Sequence, residues 1–213
     1  AQEAKKSGID VVVGVVESHG RKDTEALLDG LTFLPKMQVE YRDKKLFEMD
    51  LNGILSRKPT LVLVDELAHT NIPGSRHAKR WQDIIELLDA GIDVYTTLNV
   101  QHIESLNDVI AQITHVQVRE TVPDAVLERA GEIELIDLPP DELLERMKEG
   151  KVYIPEQAQQ ALQNFFRKGN LLALRELALR FTAQRVDVDV RAYRKAHGIE
   201  TTWHTAERIL VCI

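Results

Sequence analysis

Three short runs of β-branched and apolar residues, Asp10–Glu17, Thr60–Glu66 and Asp93–Asn99, return along the chain with helix-like segments between them. Runs of this kind are strands buried on both faces, the signature of a parallel sheet covered by helices on each side. Helical periodicity falls on Lys22–Gly30, Leu51–Ser56, Ala78–Ala90 and Glu104–Ile113, with Gly30 and Gly91 placed as stops. Strand alternating with helix predicts an α/β fold, a doubly wound and mainly parallel sheet of the P-loop NTPase kind. Glu132–Leu138 is expected to add a fourth strand. Met37–Asp50 breaks the rhythm and is expected to form a hairpin turned at Arg42–Lys44.

Beyond Leu138 the pattern becomes wholly helical. Helices are expected over Pro139–Gly150, Pro155–Lys168 and Asn170 to about His197, the last with Leu171, Leu174, Ala178 and Phe181 on one face. The expected division is an α/β core over residues 1–138 and a helical extension packed on it over residues 139–200.

The net charge of -7 opposes a nucleic-acid surface, which needs clustered Lys and Arg. A single cysteine, Cys212, rules out an intrachain disulfide or a thiolate zinc site and suits a reducing cytosol. No stretch reaches the roughly 18 apolar residues of a membrane span, so direct membrane insertion of this region is not expected. The abrupt first residues, AQEAKKSG, read as a helix tail and the last, ERILVCI, as a strand, which predicts an excised piece of a longer protein.

The chemistry concentrates where the strands end. LVLVDE (Leu61–Glu66) is an apolar strand closing in two carboxylates at the edge where open α/β sheets place their ligands. A Walker B strand has this form: Asp65 would orient magnesium, directly or through water, and Glu66 would polarise an attacking group. Strands also end in acids merely because they meet solvent, and taken alone this one carries either reading. The loop that follows, Leu67–Trp81, holds His69, Asn71, Ser75, Arg76, His77, Lys79 and Arg80, whose cations suit an anionic ligand or only cap a helix. Glu17 and His19 follow the first strand and Asn99, Gln101 and His102 the third, so three polar strand ends are expected to converge. The expected nucleotide-binding set is Asp65, Glu66, Glu17, His19, Arg76, Asn99 and Gln101, with Glu66 and His69 as catalytic candidates and Asp65 as the magnesium residue. His69 and His77 flank a Pro-Gly turn rather than sharing a helix face, which disfavours zinc. The phosphate-gripping G-x-x-x-x-G-K-[ST] does not occur; the reading places it upstream of Ala1, so ATP affinity is expected to be weak without it.

VVVGVVESHGRKDTEALLDGL, LVLVDELAHTNIPGSRHAKRWQD, DVYTTLNVQHIESLND and KVYIPEQAQQALQNFFRKGNLLALRELALR together resemble the N-terminal domain of the KdpD family of potassium-responsive bacterial sensor histidine kinases. The resemblance covers nearly the whole chain, and the PGSRH loop and NVQHIESLND turn are its most specific parts. It implies a cytoplasmic regulatory region of an inner-membrane protein, binding ATP and magnesium, with Asp65 and Glu66 as the magnesium- and nucleotide-facing pair. It further implies a universal-stress-protein-like domain starting in residues 201–213, four membrane helices, and a kinase core that phosphorylates the response regulator KdpE. The phosphoacceptor histidine would lie beyond Ile213. Ser18 stands where the family is expected to carry threonine. Against the regulatory reading stand two others, an NTPase or phosphotransferase in its own right and a nucleotide-independent platform docking partners through the helix at Asn170–His197.

Overall fold

The computed structural model describes residues 1–149, 165–199 and 201. The expected helix at Pro155–Lys168 lies almost wholly outside them, and so does the terminal ERILVCI. Three of the four expected strands form, somewhat shorter than their apolar runs: β1 (Val11–Val15), β5 (Leu61–Val64) and β6 (Asp93–Thr96). All pair in parallel. The fourth member of the sheet is β2 (Thr32–Phe33), and the order is β2-β1-β5-β6.

Glu132–Leu138 is not a strand, which corrects the sequence expectation. Its acids alternate with apolar residues, so joining a sheet covered on both faces would bury Glu132 and Glu134 against a helix layer. The segment instead runs extended along the outside, where Asp137 accepts two hydrogen bonds from Arg175 at 2.7 and 2.6 Å.

Alternation along the strands divides the core. Val12, Val62 and Val64 face α3 (Leu51–Arg57) and α4 (Arg80–Asp89), where they pack with Ile54, Ile84 and Leu87. Val11, Val13, Leu61 and Leu63 face the other side, against Ala4 of α1 (Gln2–Lys6) and Leu28 of α2 (Lys22–Leu28). Asp50 caps α3 by accepting the Gly53 N–H at 2.9 Å. α4 starts two residues later than its periodicity suggests, because Thr70 and Lys79 form an antiparallel bridge that keeps Lys79 extended.

The expected hairpin is present as an antiparallel pair, β3 (Met37–Tyr41) and β4 (Lys44–Glu48). Arg42 and Asp43 make its two-residue turn, both with positive φ, the backbone that the right-handed strand twist demands. Beyond β6 the chain takes two 3-10 turns, Val100–His102 and Glu104–Leu106, then α5 (Asn107–Thr114), α6 (Asp124–Glu128) and α7 (Pro140–Lys148). The long α8 (Lys168–Ala196) packs on α5, α7 and the first of those turns, burying Leu171 and Leu174.

The strand ends are aligned by a bulge. β1 and β5 run in register to Val13↔Leu63, then slip so that Val15 pairs with Val64. Gly14 occupies the slip, where a Cβ would stand 3.0 Å from Ile54 Cδ1 and 3.1 Å from Val62 Cγ2. The slip lets the Val15 carbonyl accept the Asp65 N–H at 2.9 Å and brings the Glu17 N–H to Asp65 Oδ2 at 3.2 Å. Gly14→Val is therefore expected to destabilise the domain by about 1–3 kcal/mol through overpacking, with Gly14→Ala milder, as read from the midpoint of denaturant unfolding. An unchanged midpoint for the valine variant would contradict this packing.

Candidate functional site

Asp65 sits at the carboxyl end of β5 and receives hydrogen bonds on both oxygens. Oδ2 accepts the Glu17 N–H, and Oδ1 accepts the Glu66 N–H at 3.0 Å and the Thr97 hydroxyl. Among the described residues no cationic side chain forms an ion pair with this carboxylate. Its charge is met by dipoles alone, and lone pairs remain on a carboxylate with roughly four acceptor sites.

Glu66 follows in the left-handed region, φ 57°, a backbone state costing a non-glycine residue about 1–2 kcal/mol. Its N–H is held by Asp65 and by Thr97 Oγ1 at 3.1 Å, which fixes the turn. The Glu66 carboxylate is half-exposed, hydrogen-bonded to His19 Nε2 at 3.3 Å, with Arg80 Nη1 at 3.9 Å and His69 Nδ1 at 4.0 Å.

Beneath this corner lies a buried ion pair. Glu48, the last residue of β4, and Arg80, the first of α4, are 3% and 2% exposed. Arg80 Nη2 donates to Glu48 Oε1 at 2.8 Å, and Nη1 donates to the Asp65 carbonyl at 2.9 Å. Glu48 Oε2 accepts from His69 Nε2 at 3.0 Å and from the Ile72 N–H at 3.2 Å. Burial pushes the Glu48 carboxyl up, but the hydrogen bonds from His69 and Arg80 and the guanidinium charge outweigh it, and its pKa falls to about 2. Because a carboxylate only accepts, His69 Nε2 carries the proton, leaving Nδ1 on the side of Glu66.

The loop from Leu67 to Trp81 is closed by its own polar residues. Asn71 donates to the His77 carbonyl at 3.1 Å and to buried Asp83 at 2.6 Å. Burial raises the Asp83 pKa, and the Asn71 hydrogen bond only partly offsets it. Arg76 is bound to Asn52 at 2.9 Å and to Glu86, and His77 to Glu86 at 2.8 Å. Arg76 is thus drawn toward α3 and α4 and away from Asp65.

A cleft of about 140 Å³ opens between this loop and the end of β6, lined by Glu66, His69, Thr97, Asn99, His102 and Glu120 among others. His102 Nδ1 donates to the Glu120 carbonyl at 2.7 Å, which leaves Nε2 as the acceptor in the neutral ring. Burial raises the Glu120 carboxyl, but the hydrogen bonds from Thr70 and the charges of Lys79 and His69 prevail and lower it. A second, more apolar groove of about 310 Å³ lies across the sheet edge, lined by Val16, Arg21, Leu63, Asp65, Tyr95 and Thr97 among others. The two hollows meet at Thr97 and the Asp65–Glu66 pair.

Of the residues singled out from sequence, the structure gathers Asp65, Glu66, His19, His69 and Asn99 at this edge. Glu17 contributes its N–H, while its carboxylate is paired with Lys36 at 2.9 Å. Gln101 lies in the 3-10 turn and does not line the cleft. Sequence reasoning passed over Thr97, Glu48 and Glu120, and left Arg80 open between an anion-facing cation and a helix-end residue; the structure buries it against Glu48. Thr97 was legible as a hydroxyl just past a strand end; Glu48 lies on a separate hairpin, and only the tertiary fold places it.

Magnesium is held by few protein oxygens and keeps several waters. The described residues contain no group of three or more His, Cys, Asp or Glu able to cage a metal. Asp65, without a cationic partner among the described residues, keeps acceptor positions that suit a hydrated magnesium. The phosphate-gripping amides and lysine have no counterpart in the sequence.

Comparison with known proteins identifies the family. The model of the family described as "KdpD: Osmosensitive K+ channel His kinase sensor domain" matches residues 1–186. The sensor protein KdpD of Escherichia coli (strain K12) is 61% identical across the whole chain, which covers 24% of that protein. The putative sensor protein KdpD of Synechocystis is 50% identical, with 100% of this chain and 56% of the relative covered. A Mycobacterium tuberculosis sensor protein KdpD is 48% identical over 97% of the chain and 24% of its own length. The chain spans about a quarter of most of these curated relatives.

The Glu48–Arg80 pair yields two expectations. Arg80→Ala leaves a buried carboxylate without its guanidinium and should cost about 3–5 kcal/mol in denaturant unfolding. A loss under 1 kcal/mol would contradict the pairing. Because the folded pKa of Glu48, about 2, lies below its ordinary 4.5, its contribution is complete above pH 4.5 and is lost as pH falls toward 2. Glu48→Gln should therefore flatten the fall of stability across that interval, and an unaltered slope would show that Glu48 does not carry it.

Proposed function

The chain belongs to the KdpD family of osmosensitive K+ channel histidine-kinase sensor domains, and from that premise we propose that it is the regulatory module of such a kinase and reads magnesium-bound ATP at the Asp65 corner. The observation that carries the reading is Asp65 itself, a carboxylate oriented from both sides by the Glu17 and Glu66 amides and the Thr97 hydroxyl but met by no cationic side chain among the described residues. Such a group is preorganised to meet a metal ion.

In this reading Asp65 orients the hydrated magnesium, whose charge offsets that of the phosphates when bound. Glu66 and His69 border the terminal phosphate, with Asn99 in the adjoining cleft and His19 at the rim. The more apolar groove beside Asp65, with Tyr95 on its wall, suits the nucleoside. Occupancy biases the kinase and phosphatase output of a distant core toward the response regulator KdpE, which requires two states of unequal affinity for the nucleotide. The domain stands on the cytoplasmic side of an inner-membrane protein; among the described residues no helix is long and apolar enough to cross a membrane. The residues 1–138, 139–200 and 201–213 serve as α/β core, helical extension and the start of a universal-stress-protein-like domain.

A second reading, ATP hydrolysis by the domain itself, is favoured by one feature. Glu66 is held in a costly backbone state one residue past Asp65, and strain of that kind gathers at reacting centres. There Glu66 would take the proton of the attacking water, with His69 beside it.

Calorimetric titration of magnesium-ATP into a protein of the relatives' full length carrying this domain tests the first reading. Asp65→Asn is expected to weaken magnesium-dependent binding about tenfold or more, close to 1.4 kcal/mol, with the fold intact by circular dichroism. Equal affinity in both would overturn it. ATP turnover in the same protein, abolished by Glu66→Gln while binding persists, would establish the second reading; no turnover above background would dismiss it.

A further inference from the structure

Helix α8 buries one stripe against α5 and α7 and leaves another bare. Leu172, Leu179, Val186 and Tyr193 recur every seven residues and are 50%, 43%, 54% and 53% exposed. Single exposed apolar residues are ordinary on a protein surface, but a bare stripe that keeps heptad spacing over three heptads is a coiled-coil seam. Ala183 and Val190 fall between them on the same flank, giving the alternate spacing of four and three that such a seam needs. At 1.5 Å per residue, Leu172 to Tyr193 spans about 32 Å. Glu176 is the polar member at the amino end, and it pairs with Arg180 at 2.6 Å.

The charges beside the seam specify what fits it. Two α8 helices set antiparallel, with Ala183 of each facing Val186 of the other, also bring Leu179 opposite Val190. In that register Arg180 of each copy stands across from Asp187 of the other, and the twofold axis makes the attraction twice. Parallel pairing would instead set Arg175 of one copy beside Arg180 of the second. We propose that α8 is a self-association surface through which a second copy of this chain docks as an antiparallel coiled coil. The inference does not depend on nucleotide binding.

Sedimentation equilibrium of the full 213-residue chain tests it. The chain is expected to show a concentration-dependent monomer–dimer equilibrium. The pair Leu179→Glu with Val186→Glu should leave monomer alone. Val188→Glu, on an exposed position off the seam (45% exposed), should leave the dimer unchanged and so controls for added charge on the helix. Arg180→Asp should weaken association about tenfold or more, and adding Asp187→Arg should restore it. Helicity by circular dichroism verifies that each variant folds. A monomer at every concentration, a dimer indifferent to the seam pair, or a charge exchange that fails to restore association would each overturn the proposal, the first leaving the seam to a different protein segment.

Discussion

The ion pair between Glu48 and Arg80 is the contact on which the carboxylate corner depends. It joins the end of a hairpin outside the main sheet to the first residue of α4, and the same guanidinium reaches the Asp65 carbonyl. Burying two charges is costly, and an apolar pair of similar volume often stabilises a fold as well. What the ions supply here is position. With Glu48 also holding His69 and the Ile72 amide, one carboxylate fixes the hairpin, both ends of the polar loop and the floor beneath Glu66.

From that floor the edge acquires its electrostatic character. The obvious cations of the loop are already engaged: Arg80 with Glu48, Arg76 and His77 with Glu86, and Lys79 with Thr70. The Asp65 carboxylate is therefore left without a cationic partner among the described residues, next to Glu66, which has His19, Arg80 and His69 at 3.3, 3.9 and 4.0 Å, with a polar cleft on one side and a more apolar groove on the other. In the proposed reading such an arrangement would favour a cation-bound anion over a bare one, because the negative corner repels phosphate until a divalent ion screens it.

Much of this was legible in the amino acids. The β-branched runs gave away β1 and β5, which are buried on both faces, and also β6, although it lies at the sheet edge and is largely exposed, with Tyr95 at 57%; the carboxylates closing LVLVDE marked the edge where the cleft and the groove meet. The hairpin was readable from its pattern even though its turn residues, Arg42 and Asp43, lack the usual glycine. Glu132–Leu138 misled because apolar alternation was weighed without asking where its acids would go. β2, two residues long, carries too little pattern to detect. Glu48, Thr97 and Glu120 owe their roles to neighbours distant in sequence: Glu48 lies 32 positions from Arg80, and Thr97 lies 32 from Asp65. Composition named the loop's cations, but only packing shows that they are engaged with Glu48, Glu86 and Thr70.

The account turns on Asp65 being the point where a nucleotide's metal enters. Hydrogen exchange followed by mass spectrometry, on a protein of the relatives' full length with and without magnesium-ATP, addresses that directly. The account predicts slowed exchange in residues 15–21, 64–69 and 96–102, the three strand ends that meet at Asp65, and little change along α8. Unchanged exchange at all three ends under conditions where ATP binds elsewhere in the protein would contradict it.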